Sequence, residues 1–358
     1  MLFTYKHIEN HPIYTLQKWI DDLFLDVWCK ADLKVEYDIE LLPDDIRAVT
    51  EEIYHDDRVK IDYLYGPVEK VYKLFQGFDQ DVKDTLAKAY QDNNCIEDLC
   101  QNQNGCIPFR YNQLKDINED LNNTLETFFK HLFTNVISLK AVTDRIGKIE
   151  THYKDFVTLN DEDRCPFCGT NDIKGKYVKR KEAYDHYLPK DIYPFNSINF
   201  LNLAPMCHEC NSSYKGIKDP LLKQDKVTRR RAFYPYAEKE PAIDLTIRLS
   251  SKDIESIHPE EIELELSAEG KEEEVDAWTE VFGIEERYKE KCLSKNYGKF
   301  WYQEATDEYE NLPEDVKAIY PKDQWIDKLI RSAKTNKNAQ ANFIKAAFLE
   351  ACLRSGSL

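Results

Sequence analysis

Two cysteine pairs separated by 38 residues restrict most strongly how this chain can fold. The first pair is Cys165 and Cys168 and the second is Cys207 and Cys210, each with two residues between its cysteines. Each pair can place two thiolates on one ion, and two pairs complete the tetrahedral set of ligands that zinc accepts. Four sulfur ligands leave no position open for a substrate. The sequence therefore predicts a structural zinc site that joins the two ends of this segment.

Two alternatives to zinc follow from the same cysteines. A redox-active Cys-x-x-Cys normally stands alone near a βαβ unit, whereas two such pairs occur here. An iron–sulfur cluster also takes thiolate ligands, so the ligand type alone does not exclude such a cluster.

Three further cysteines, Cys95, Cys100 and Cys106, lack paired spacing and a fourth ligand nearby. We predict that these three are ordinary reduced thiols.

The charge of the chain changes sign at the segment that contains the cysteine pairs. The whole chain of 358 residues carries a formal net charge of −17. Residues 164–231 hold 14 basic and 7 acidic residues, a net charge of +7, so the remainder carries −24. A basic segment on an acidic body favours a local site for a polyanion.

No apolar stretch approaches the ~20 residues that a membrane helix needs, and the first residues do not resemble a secretory signal. We expect a cytoplasmic protein without a membrane partner.

The length and the apolar periodicity predict three regions in an α+β protein. Residues 1–160 should be mostly helical, including one long helix between Leu114 and Val136, where apolar residues recur at helical spacing. Residues 161–235 contain the cysteine pairs and little helical periodicity. Residues 236–358 should be α+β, because apolar and polar residues alternate over 243–249 and again over 262–266, as in a pair of strands.

Three polar positions between and just after the cysteine pairs point to a site. His186 falls in a stretch, residues 182–187, that we predict to be a strand. Asn202 lies in the returning loop, and Asn211 follows the second cysteine pair on a short helix predicted from near His208 to Gly216. The predicted arrangement is a ββ hairpin with a helix packed across it.

The residue types at these positions suit hydrolysis of a phosphodiester. Asp185 and Asn211 offer hard oxygen ligands, which favour Mg²⁺ or Mn²⁺ over zinc. A neutral imidazole at His186 can take a proton from water. Asn202 can brace the loop that orients His186 through hydrogen bonds from its side chain to the backbone. Because His186 would point away from Asp185 on a regular strand, a bend must bring both to one site.

The segment from about 165 to 220, roughly a sixth of the chain, resembles an HNH endonuclease motif of the ββα-metal class. The resemblance rests on Asp-His, Asn202, the two cysteine pairs and the string Cys-x-x-Cys-Asn-x-x-x-Lys-Gly. It implies His186 as general base, Asn202 as the supporting residue of the catalytic site, and Asp185 and Asn211 as ligands of a catalytic Mg²⁺ or Mn²⁺. Asn211 stands where many members carry a histidine, and RNA-guided DNA-cleaving effectors are similar in carrying asparagine there. The fold class implied is a mostly helical α+β chain with an embedded zinc-braced nuclease module.

The wider string His-x-x-Pro-Lys, Asn-Leu and Cys-x-x-Cys-Asn is similar to HNH nucleases of bacterial anti-phage systems, including those paired with an ATPase. It implies nucleic acid as the substrate, DNA rather than RNA, and a defence-system ATPase as a partner. The alternative function is a non-catalytic zinc module that binds nucleic acid or another protein within a larger complex.

Basic residues on both sides of the motif are candidates for contacts with phosphate groups. We predict two clusters that grip the nucleic acid on either side of the scissile bond, and Lys215 on the helix face of Asn211. The alternative is a solvated surface without a ligand. The predicted nucleic-acid-binding residues are Lys179, Arg180, Lys181, Lys190, Lys215, Arg229, Arg230 and Arg231.

Overall fold

Helices dominate the first 160 residues of the computed structural model, which describes residues 1–103 and 105–358. They form where apolar residues recur at helical spacing, so that each helix buries one face in a shared core. A π-helical turn, Leu23–Trp28, extends the first helix. The helices are α1 (Thr15–Asp22), α2 (Asp44–Tyr54), α3 (Tyr65–Gln76), α4 (Gln80–Asn94), α5 (Ile96–Gln101), α6 (Tyr111–Ile117), α7 (Glu119–Thr134), α8 (Lys140–Ile146) and α9 (Ile149–Asn160).

The prediction of one long helix between Leu114 and Val136 is wrong, because Asn118 interrupts it and separates α6 from α7. This residue has an extended backbone, with φ −162° and ψ 120°, and its side chain accepts a hydrogen bond of 2.8 Å from the amide of Leu121. Asparagine is a strong helix N-cap because its side chain replaces a missing backbone acceptor. Both helices bury their apolar faces in the same core, so the apolar stripe continues across the break.

The predicted ββ hairpin and helix are present in the middle segment. Strands β1 (Tyr184–His186) and β2 (Leu203–Pro205) are antiparallel, with His186 opposite Leu203. A π-helical turn, Glu209–Lys215, follows β2 and ends at Gly216, which has a φ of 49°. We call this turn the motif helix. The strand predicted over 182–187 is therefore confirmed over three residues.

The last region combines a two-stranded sheet with helices, as predicted. Strands β3 (Asp244–Leu249) and β4 (Ile262–Ser267) pair antiparallel over six residues each. Together with the hairpin they make the chain a mixed α+β protein. The helices are α10 (Glu272–Phe282), α11 (Ile284–Leu293), α12 (Gly298–Glu310), α13 (Glu314–Ile319), α14 (Lys322–Thr335) and α15 (Asn342–Ser355).

Both flanking regions bind the first cysteine pair through its backbone carbonyls. The amide of Leu2 donates to Pro166 at 2.9 Å, and the indole of Trp278 donates to Phe167 at 2.7 Å. The hydroxyl of Tyr288 donates to the carbonyl of Cys168 at 3.0 Å.

Within the described residues, no helix combines the length and the apolar character that crossing a membrane requires.

A buried histidine behind β1 makes a testable link between pH and stability. His152 lies between the hydroxyls of Tyr14 and Tyr184, at 3.0 Å and 2.6 Å from its ring nitrogens. Burial, and to a lesser degree the charges of His11 and His7, lower the pKa of His152 to about 3. Because the unfolded chain binds this proton more readily, stability is intact above an unfolded-state pKa of about 6.5 and falls as the pH drops toward the folded-state value.

We therefore expect His152→Gln to lose less stability on acidification than the wild type. The difference should reach about 3 kcal/mol near pH 4, since each unit of pKa shift corresponds to about 1.4 kcal/mol. Urea unfolding of both proteins between neutral pH and pH 4 measures it, with the exposed His208→Gln as control. Parallel stability curves for the wild type and His152→Gln would contradict the expectation.

Candidate active site and metal cluster

The four paired cysteines form one buried cluster. Their sulfur atoms all lie within 4.8 Å of one another, and the sulfurs of Cys168 and Cys207 are 3.9 Å apart. Ligands about 2.3 Å from a tetrahedral zinc lie about 3.8 Å from each other. The cluster could therefore hold a structural metal ion such as zinc, as the spacing predicts. Among the described residues it is the one group of three or more such ligands that meets this criterion.

Donors from two regions point at the cluster sulfurs. The side-chain amide of Asn171 donates to the sulfur of Cys207 at 3.6 Å, and the guanidinium of Arg287 donates to that of Cys210 at 3.2 Å. Such donors stabilise thiolate charge on a metal. Sequence reasoning missed Arg287, because it lies on α11, far from either cysteine pair, and nothing in its local sequence marks it.

His186 is the residue whose surroundings most resemble those of a general base. Its Nε2 lies 2.8 Å from the carbonyl oxygen of Ser197. A carbonyl only accepts hydrogen bonds, so Nε2 carries the proton and Nδ1 keeps its lone pair. Burial lowers the pKa of His186 to about 3, helped by the charges of Lys190 and Lys215 and opposed by the bond to Ser197. The imidazole is therefore neutral near pH 7.

Asn202 braces the segment that follows His186. Its buried side chain accepts a bond of 2.8 Å from the amide of Leu188 and donates one of 3.0 Å to the carbonyl of the same residue. Its own carbonyl accepts from the amide of Tyr187 at 2.8 Å. These bonds agree with the predicted bracing role, and the part that Asn202 plays in any reaction stays a prediction.

Asp185, His186 and Asn211 border the same cavity, which has a volume of about 390 Å³. The motif helix brings Asn211 to the end of β1, where Asp185 and His186 are adjacent. Lys190 and the exposed side chain of Ile217 lie at the same cavity. The predicted base and the two predicted oxygen ligands thus line one cavity with space for a small ligand, whereas Asn202 is not among its lining residues.

The prediction that Lys215 binds nucleic acid is wrong for this structure, because its side chain is wholly buried. Its ammonium lies 2.8 Å from Oδ2 of Asp185 and donates to the carbonyl of His186 at 2.9 Å. Burial raises the pKa of Asp185, and the nearby charge of Lys215 opposes that effect. A buried carboxylate needs a counter-ion, and here Lys215 supplies it. Sequence reasoning noted the lysine and missed this partner.

The cluster Arg229–Arg231 is also corrected, because its guanidinium groups hold other parts of the protein. Arg230 is buried and pairs with Glu280 of α10 at 2.6 Å. Arg231 lies 3.4 Å from Glu273, and Arg229 donates to the carbonyl of Leu99. These arginines attach the middle segment to its flanks and are poorly placed to grip phosphate.

The other predicted cluster remains available for a ligand. Residues 176–180 are all exposed, and the side chain of Tyr177 is 92% exposed. In the described part of the chain, Lys179 and Arg180 form no ion pair, whereas Lys181 lies 3.8 Å from Glu150. Lys190 lies 3.5 Å from Asp191 beside the cavity. We call residues 176–181 the basic loop.

Comparison with known proteins connects a part of the chain to a bacteriophage protein. A stretch of 97 residues is 32% identical to Protein ea31 of Escherichia phage lambda, covering 27% of this chain and 28% of ea31. The chain thus matches little more than a quarter of that relative's length. No family model and no solved structure matches the chain. The chain is therefore similar in part to a phage protein whose name describes no activity.

Proposed function

We propose that this chain is a metal-dependent HNH endonuclease that hydrolyses phosphodiester bonds in DNA. The observation that carries the proposal is the position of a neutral imidazole, His186, with Asp185 and Asn211 around one cavity. A base, two oxygen ligands and an open space are what hydrolysis assisted by a divalent ion requires.

The donor atoms fit a hard divalent ion. Oδ2 of Asp185 is buried and lies 2.8 Å from the ammonium of Lys215. A carboxylate has several lone pairs, so one such contact leaves positions for a further cation, and Asn211 offers an amide oxygen at the same cavity. Mg²⁺ and Mn²⁺ prefer such oxygen ligands. When bound, the ion would stabilise the negative charge that develops on the phosphate group.

His186 would take the proton from the attacking water through Nδ1. The carbonyl of Ser197 fixes the ring by accepting from Nε2, and Asn202 fixes the backbone just after it. Burial keeps the ring unprotonated near pH 7 and also weakens it as a base. A divalent ion, when bound, would offset this by lowering the pKa of the attacking water. For the cysteine cluster we propose zinc, which closes four thiolate ligands into a structural site.

The substrate we propose is DNA, held in part by the basic loop. Its exposed cations can neutralise phosphate groups, and phosphate contacts give affinity without sequence preference. We also propose bacterial anti-phage defence as the setting and a defence ATPase as a partner. This proposal rests on the resemblance of the motif to nucleases of such systems.

Replacing Lys179 and Arg180 together with glutamine should weaken DNA binding and flatten its dependence on salt. Two lost phosphate contacts should reduce the slope of log K against log salt by about 1.8. Fluorescence anisotropy with a short duplex, in the non-cleaving His186→Ala background, measures the slope. Arg231→Gln serves as control, because this residue is already paired with glutamates. Equal slopes for the double variant and its parent would show that Lys179 and Arg180 do not contact phosphate groups of the DNA.

Plasmid cleavage with Mg²⁺ or Mn²⁺ tests the function itself. We expect nicking or linearisation by the wild type, none in EDTA, and strong loss of cutting in Asn211→Ala with DNA binding retained. If the wild type binds DNA and cuts it with neither ion, the proposed endonuclease activity is refuted.

One observation favours a second candidate, a non-catalytic zinc module that binds nucleic acid. The ammonium of Lys215 already neutralises Asp185 without a divalent ion. This module would bind DNA and leave it intact under every metal condition of the same assay, and His186→Ala would not affect its function.

A further inference from the structure

The ion pair between Lys215 and Asp185 is buried at the point where the proposed metal ion would bind. Lys215 is 1% exposed and Asp185 is 7% exposed, so water screens neither charge well. The ammonium contacts the carboxylate at 2.8 Å and the carbonyl of His186 at 2.9 Å. One ammonium thus contacts the side chain of the proposed metal ligand and the backbone of the proposed base.

The charges around this pair are balanced in the absence of a metal. Asp185 contributes one negative charge and Lys215 one positive charge, and the two charged groups are 2.8 Å apart. Lys190 is the other cation that acts on Asp185, from the mouth of the cavity. A divalent ion that binds Asp185 therefore enters next to a buried ammonium, and two cations repel strongly where solvent screening is weak.

We propose that Lys215 is the resident counter-ion of Asp185, which positions the carboxylate in the metal-free protein and weakens the binding of a divalent ion to it. The inference rests on the proposed function, since it concerns the same metal site. It gives Lys215 a positioning role and makes it the residue that sets metal affinity.

A titration with Mn²⁺, followed by the electron paramagnetic resonance signal of the free ion, tests this inference in the full chain without DNA. The readout is binding, and a zinc ion in the cysteine cluster is silent in it. In Lys215→Met, which keeps the unbranched side chain except for its last atom and removes the charge, Mn²⁺ should bind at least about tenfold more tightly than in the wild type, because the repulsion is lost.

The matched control is Lys218→Met, three residues further along the chain. Lys218 is exposed, and its ammonium donates a hydrogen bond of 3.4 Å to the carbonyl of Val281. Its replacement changes the net charge by the same amount, and the Mn²⁺ affinity should stay within about twofold of the wild type, because solvent screens an exposed charge. Unchanged or weaker binding in Lys215→Met would overturn the inference.

Asp185→Asn separates this inference from the proposed function. If Asp185→Asn binds Mn²⁺ as the wild type does, the proposed metal site itself fails. If Asp185→Asn loses binding while Lys215→Met leaves the affinity unchanged, the site stands and only the counter-ion role fails.

A Lys215→Met protein that does not fold also gives a result. The double variant Asp185→Asn, Lys215→Met also removes the uncompensated buried charge of Asp185, so it should melt at a higher temperature than Lys215→Met alone. Addition of Mn²⁺ should also raise the melting temperature of Lys215→Met more than that of the wild type. If neither change restores stability, Lys215 is only a packing residue and the inference is wrong.

Discussion

Replacing His186 with alanine is expected to slow DNA cleavage by roughly 10²- to 10⁴-fold, the range that a general base contributes. The reason is that His186 is the one histidine among the described residues that line the cavity with Asp185 and Asn211, and Nδ1 is its ring nitrogen that does not bond to Ser197. Single-turnover cleavage of a supercoiled plasmid with Mg²⁺ measures the rate. DNA affinity should change little, because the ring is buried and the proposed phosphate contacts come from the basic loop.

His208→Ala is the matched control for this variant. His208 lies in the same segment, at the start of the motif helix, but it is exposed and its ring is 3.4 Å from the hydroxyl of Ser212. Its loss should leave the cleavage rate unchanged. A His186→Ala protein that is folded, binds DNA and cuts at the wild-type rate would refute the assignment of the base.

Replacing Cys168 with alanine is expected to remove the metal from the cysteine cluster and to unfold the middle segment. Structural zinc contributes about 10–16 kcal/mol in small zinc domains near pH 7, whereas whole domains are stable by only about 5–15 kcal/mol. Elemental analysis should find one zinc per wild-type chain and less in the variant. Thermal unfolding should show a large loss of stability.

Cys292→Ala is the control for the loss of a buried thiol. Cys292 is fully buried on α11 and lies outside the cluster. Its replacement removes little volume, so the cost should be about 1 kcal/mol and the zinc content should not change. A Cys168→Ala protein with normal metal content and wild-type stability would refute the zinc site.

The effect of metal loss should extend beyond the cluster. Trp278 and Tyr288 donate their hydrogen bonds to the backbone carbonyls of Phe167 and Cys168. If the first cysteine pair is released, these buried donors lose their acceptors, and α10 and α11 lose contacts with it. We therefore expect α10 and α11 to be destabilised together with the middle segment.

The sequence predicted the parts that depend on spacing along the chain. The pattern Cys-x-x-Cys brings two sulfurs together by local geometry, and the order of His186, Asn202 and Asn211 placed them on a hairpin and a helix. Alternation predicted β3 and β4 because the sheet buries one face, with Ile247 and Ile262 on it. Each of these signals is carried by neighbouring residues.

The parts that sequence reasoning missed depend on contacts between distant segments. The partner of His186 is a backbone carbonyl, that of Ser197, and no side chain encodes it. The charge of Lys215 suggested a surface role, while a carboxylate 30 residues earlier determines where it lies. The break at Asn118 was missed because apolar periodicity continues through a capped junction of two helices packed on one core.

The loop that contacts His186 is fixed from outside the motif. The hydroxyl of Ser197 donates to the carbonyl of Phe129 on α7 at 2.6 Å, and Asn93 of α4 donates to the carbonyl of Pro194 at 3.0 Å. Between them, the buried Phe195 adopts an unusual φ of 82°. The N-terminal helices thus hold the loop whose carbonyl orients the imidazole. A transplanted motif would lack this support, because the carbonyl that orients the imidazole belongs to a residue held by α7.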